Sequence, residues 1–192
     1  MVSPVAHATV GGTFVAEVMG WDSKDEKVFV TIHNNSEGVG DGDMLAYFRL
    51  DGSRDSLATN VPWESDDSTR AHRLSAIRRR LKPLAEDWEA SSIPRSIRII
   101  DSSYVKSHDL WRYNLSVGSP SFRWGGEIQV QVYGSPIVNF HRVYTVPGRP
   151  ELVVVLAFIG WSAEGGYETQ VPVLLRPDTK SPIRVAWARW EP

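Results

Sequence analysis

The sequence predicts a mainly β protein, an antiparallel β-sandwich or jelly-roll-like barrel of about ten strands with one helical insertion at about 67–89. Three observations carry this expectation. The dominant hydrophobic period along the chain is two. Short runs rich in Val, Ile, Tyr and Phe are separated by Gly, Pro, Asn and Asp clusters, which are turn chemistry. One segment alone carries apolar residues at spacings of three and four.

Taken in order, Thr13–Met19 and Lys27–His33 read as the first two strands, and Met44–Leu50 as a third closed by the turn pair Asp51–Gly52. Residues 51–68 form the longest irregular stretch and the best candidate for a mobile loop. The helical segment follows. Leu74, Ile77, Leu81, Leu84 and Trp88 make one stripe, and Asp66, Asp67 and Ser68 suit its N-terminus. Pro83 interrupts the stripe, removing a donor and disfavouring helix at Lys82. A kink, or two short helices with Pro83 opening the second, is therefore expected.

Strands resume at Ser96–Ile100 and around Leu110–Val117. Glu127–Tyr133 alternates strictly, as a half-buried strand does. Ile137–Val146 comes next. Leu152–Trp161 is apolar throughout, which suits a central strand covered on both faces. Thr169–Leu175 and Ile183–Trp190 are expected to complete a meander. With 192 residues and no internal repeat or low-complexity linker, residues 1–192 read as a single β-sandwich domain.

Composition excludes several classes of chemistry. There is no cysteine, so there is no disulfide framework, thiolate nucleophile, thiolate zinc site or cysteine-ligated cluster. A formal net charge of -2 gives no global pull towards nucleic acid or anionic membrane. The opening M-V-S-P-V-A-H-A-T-V-G-G lacks both the basic and the long apolar region of a secretory signal, and Leu152–Gly160 is too short to span a bilayer. The expectation is a soluble protein, intracellular or virion-associated, with no membrane contact and no cofactor.

The nearest thing to a chemical motif is S-E-G-V-G-D-G-D-M-L, residues 36–45. Glu37, Asp41 and Asp43 are oxygen donors suited to a hard cation, and His33 adds an imidazole. The spacing fits neither an EF-hand nor a calcium-binding β-roll, which also needs repeats. Asn34, Asn35, Gly38, Gly40, Asp41 and Gly42 are the residues of a hairpin loop, and strands flank them on both sides. The loop reading is favoured, and these four side chains remain weak metal candidates.

A second candidate is basic. Arg78, Arg79, Arg80 and Lys82, with Arg70 and Arg73 before them, form a face that can hold phosphates or an acidic protein surface. Cations late in a helix also complement its dipole, and acidic residues abound upstream, so a salt-bridged or solvated face is favoured over nucleic acid. A third candidate is aromatic. The chain has eight tryptophans, of which Trp63, in the loop before the helix, and Trp124, before Gly125–Gly126, are the best placed for exposure.

No nucleophile elbow, H-E-x-x-H, H-x-x-x-H, P-loop or G-x-G-x-x-G string is present. His7-Ala8-Thr9 is a single H-x-T without the second that a two-histidine phosphoesterase site needs. The leading expectation is a non-catalytic structural or assembly subunit, coat- or scaffold-like, acting through protein–protein surfaces and self-association. A carbohydrate- or small-ligand-binding module using exposed tryptophans is the alternative. A metal-dependent hydrolase using His33, Glu37, Asp41 and Asp43 is the second alternative.

Overall fold

In a computed structural model, residues 14–34, 44–51, 58–59, 67–87, 96–106, 110–119, 124–132, 138–159, 168–177 and 184–185 are described. They form twelve strand segments and one helix. The order is β1 (Phe14–Asp22), β2 (Lys27–Asn34), β3 (Met44–Arg49), β4 (Ala58–Thr59), α1 (Asp67–Arg78), β5 (Ala85–Glu86), β6 (Ser96–Val105), β7 (Leu110–Ser119), β8 (Trp124–Val132), β9 (Val138–Thr145), β10 (Leu152–Ile159), β11 (Glu168–Pro177) and β12 (Arg184–Val185). The protein is mainly β, with antiparallel sheets that do not close on themselves.

The first sheet runs β1-β2-β3-β4, each strand antiparallel to the next. The second runs β5-β9-β10-β11-β8-β7-β6, with β12 beside β8. Alternation along the strands sorts the side chains into three apolar clusters, because successive residues point to opposite faces. Val28, Val30, Ile32 and Phe48 of the first sheet meet Val153, Val155 and Leu174 of the second. On the other face of β10, Leu152, Val154 and Leu156 meet Leu115 and Val117 of β7. β10 is thus buried on both faces, as its unbroken apolar run requires.

β11 links the parts of the second sheet. It pairs with β10 from Glu168 to Leu175, and with β8 only at Arg176 and Pro177. That explains how Pro172 sits within a strand. Opposite Val155 it is flanked, among the described residues, by β10 alone, an edge position of the kind in which a strand proline is found.

The remaining face of the first sheet is covered by the helix. Leu74, Ile77 and Leu81 pack on Phe29, Leu45 and Tyr47. The expected stripe is therefore turned inward, and Leu84 reaches the neighbouring cluster. Trp88 lies outside the described residues.

Four expectations need correction. The helix neither kinks nor restarts at Pro83. It stops at Arg78, and Arg80 and Leu81 close a tighter turn by donating to Ile77 and Arg78 carbonyls at 2.9 and 3.2 Å. Lys82, held extended by the proline after it, exchanges two backbone hydrogen bonds of 2.8 Å with Trp21. The chain then enters β5, so among the described residues of 67–89, which end at 87, the helix occupies 67–78 only. The stretch 51–68 is not wholly irregular, since β4 lies in it and pairs with β3. Finally, β12 does not extend the β9-β10-β11 meander. It runs parallel to β8.

Candidate functional site

The first sequence candidate lies between two paired strands. β2 and β3 pair antiparallel out to Ile32 and Met44, so the E-G-V-G-D-G-D segment joins two adjacent strands. Glu37, Asp41 and Asp43 themselves lie outside the described residues. His33 is the next-to-last residue of β2, half-buried. Its Nε2 lies 3.5 Å from Glu17 Oε2 and 3.2 Å from Thr31 Oγ1, a cross-strand polar contact on the helix side of the first sheet. Among the described residues, no group of three or more His, Cys, Asp or Glu side chains gathers as metal ligands do.

The basic segment divides into two kinds of residue. Arg78 and Arg79 are exposed at the C-terminal end of α1, where a cation complements the helix dipole. Arg80 and Lys82 are engaged within the chain. Arg80 Nη2 lies 3.8 Å from Oδ2 of Asp22, whose side chain is buried, and Lys82 Nζ sits 5.6 Å from the centre of the Trp21 ring. Asp22 in turn caps the β1–β2 turn, its Oδ1 accepting from the Lys24 and Asp25 amides at 3.0 and 3.3 Å. Part of the basic segment thus fastens α1 to the first sheet.

A polar clasp ties the β9–β10 turn to the β1–β2 turn and to the end of β3. Arg149, in the β9–β10 turn, donates to both oxygens of Glu151 at 3.3 Å, to Glu26 Oε1 at 3.3 Å and to the Leu50 carbonyl at 2.6 Å. Glu151 is buried, so the fork of the guanidinium supplies what water cannot. Arg142, exposed on β9, donates to the Tyr144 hydroxyl at 3.4 Å, and that contact raises its pKa above the ordinary arginine value. It stays cationic.

The aromatic candidates singled out in the sequence lie largely outside the described residues. Trp63 lies outside the described residues. Trp124 opens β8, its backbone opposite Ser119 and Pro177, and its side chain is outside the description. Among the described residues the exposed tryptophan is Trp111, at 39%. It stands directly across from Tyr104 with ring centres 5.6 Å apart, and 6.2 Å from Tyr113. Trp111, Tyr113, Leu115 and Val117 share one face of β7. Leu115 and Val117 are core, Tyr113 is half-covered, and Trp111 emerges into solvent.

Ile99 and Ile100 on β6 are also exposed, at 56% and 49%. With Tyr104 and Trp111 they complete the exposed large apolar side chains among the described residues, and all four belong to one hairpin. The signal for this surface was in the sequence. I-R-I-I and Y-V flank the polar D-S-S, and W-R-Y-N-L-S-V alternates. What the sequence did not carry is where the covering layer ends. No known protein family matches the chain, and no characterised protein or solved structure does.

Proposed function

We propose that this chain is a non-catalytic structural or assembly subunit that works through protein–protein surfaces. The observation that supports it is the β6–β7 hairpin. Large apolar side chains exposed together on a strand at the end of a sheet are the signature of a surface that meets another protein. The sandwich reading of the fold belongs to the same proposal. Its support is the apolar cluster shared by β1, β2 and β3 with β10 and β11. The consecutive order β1-β2-β3-β4 lends no support to a jelly roll.

The test is absolute mass in solution by light scattering after size exclusion, with and without EDTA. The reading expects a defined oligomer or larger particle whose mass EDTA leaves unchanged. A monomer at every concentration would sink it. A mass that EDTA changes would return attention to His33, Glu37, Asp41 and Asp43, and metal content of an Asp41→Ala/Asp43→Ala variant would then decide the hydrolase alternative.

One observation favours the second reading, a carbohydrate-binding module. The Tyr104–Trp111–Tyr113 rings form an open aromatic shelf of the kind on which sugar faces stack. Quenching of tryptophan fluorescence by a glycan panel, lost in Trp111→Ala, is its expected outcome.

A further inference from the structure

The exposed strand β6 is the last on the path of the second sheet, and among the described residues no strand pairs on its free side. Along the ten residues of β6 the backbone groups that point away from β7 are a template for another strand. The side chains on β6 say which strand fits.

A bulge decides the geometry. The register against β7 places Arg98 opposite Ser116, Ile99 opposite Leu115 and Asp101 opposite Asn114, leaving Ile100 as an extra residue. Ser116 and Asn114 are two apart, so they share one face of β7. Arg98 and Asp101 therefore share the corresponding face of β6, one on each side of Ile99. Without the bulge, residues three apart would point to opposite faces. Both are exposed. Asp101 accepts from Asn114 Nδ2 at 2.6 Å, which fixes its carboxylate on that face.

This arrangement is complementary to itself. We propose that a second copy of this chain docks along β6 in antiparallel register, with the two-fold axis at Ile99. Arg98 of each copy then faces Asp101 of the other, twice across the axis. Ile97 faces Ser102, Ser96 faces Ser103, and the Ile99 side chains of the two copies meet. Opposite charges directly across an antiparallel pair stabilise it, and like charges destabilise it. The exposed Ile99 gains a cover. The result is a continuous sheet in the order β8-β7-β6-β6-β7-β8. The inference rests on the assembly reading and adds the surface, the occupant and the register.

The test uses the full chain and two single charge reversals, Arg98→Asp and Asp101→Arg. Each places like charges across the axis at both contacts, so each variant alone should associate about tenfold more weakly than the parent, or less. Mixing the two variants should restore association. An Arg98→Asp copy carries two acids and an Asp101→Arg copy two bases, and both contacts between them are then complementary. Mass by light scattering at matched concentrations reads this, and far-UV circular dichroism of each variant checks that it is folded. A variant that loses its fold is replaced by Arg98→Glu or Asp101→Lys, which carry the same reversal. Unchanged mass in the single reversals, or a mixture no heavier than its components, overturns the β6 pairing while leaving the assembly reading standing if the parent is an oligomer. A monomeric parent overturns both.

Discussion

Gly20 sits where two parts of the chain come closest. Its φ of +147° is open to glycine and rarely to other residues, and it lies at the irregularity in the β1–β2 register. A Cβ there would stand 2.8 Å from the Lys82 carbonyl oxygen and 2.9 Å from Leu81 Cβ. Both belong to the segment that leaves α1 and bridges back to Trp21, so neither can yield without breaking that bridge. Gly20→Ala should destabilise the protein by about 2–4 kcal/mol, read as a lowered urea midpoint with an unchanged slope. The Arg149 clasp makes a second demand on single residues. Arg149→Ala leaves the Glu151 carboxylate buried without its partner, and the partial exposure of Arg149 moderates the loss to about 2–3 kcal/mol. Arg149→Ala/Glu151→Gln should recover part of it, because the charge is removed along with its partner. A double variant no more stable than Arg149→Ala would mean that the bonds to Leu50 and Glu26, not relief of the buried carboxylate, account for the effect.

Among the described residues, β10 carries the most buried apolar side chains of any strand, and its two faces make separate predictions. Leu156 faces β7 and Val155 faces the first sheet, both fully buried. Leu156→Ala should cost about 2–5 kcal/mol, and Val155→Ala a smaller amount set by its smaller side chain. In a strand with one wet face, one of the two would be nearly silent; denaturant unfolding of the pair distinguishes the cases. β10 was legible because an unbroken run of Val, Leu, Ala and Phe excludes a solvent face without reference to any partner. The long strands and the stripe of α1 were legible for the same local reason. The rest depended on distant residues. β4 and β5 have two residues each and exist only through β3 and β9. The stop at Arg78 is completed by the bridge from Lys82 to Trp21, some sixty positions away in the chain. Pairing of β8 with β7, β11 and β12 follows from how the second sheet folds over β10, which no periodicity encodes. Trp111 illustrates the same boundary within one element. Alternation puts it in line with Leu115, yet only the extent of the opposing layer makes one core and the other surface.

At the scale of the whole molecule, the question is what the four exposed apolar side chains of the β6–β7 hairpin are for. Burial elsewhere is orderly: α1 covers one face of the first sheet, the second sheet covers the other, and β7 covers the far side of β10. A fold that assigns a cover to each of those faces, and leaves Ile99, Ile100, Tyr104 and Trp111 in water, has an incomplete surface rather than a loose core. The two readings of that surface diverge on one variant, Tyr104→Ser/Trp111→Ser. Because Trp111 is already partly in water, the loss of stability should stay below the about 3–5 kcal/mol expected for truncating a core aromatic. An assembly surface then predicts a lower mass in solution with nearly the parental unfolding midpoint. A sugar platform predicts unchanged mass and a lost fluorescence response to glycan. The β6 register adds a further constraint, since Tyr104 and Trp111 lie beyond the Arg98–Asp101 contacts at the turn end of the hairpin. The serine variant should therefore weaken assembly less than either charge reversal does, and a larger effect would shift the interface from the edge of β6 to the aromatic face of the hairpin.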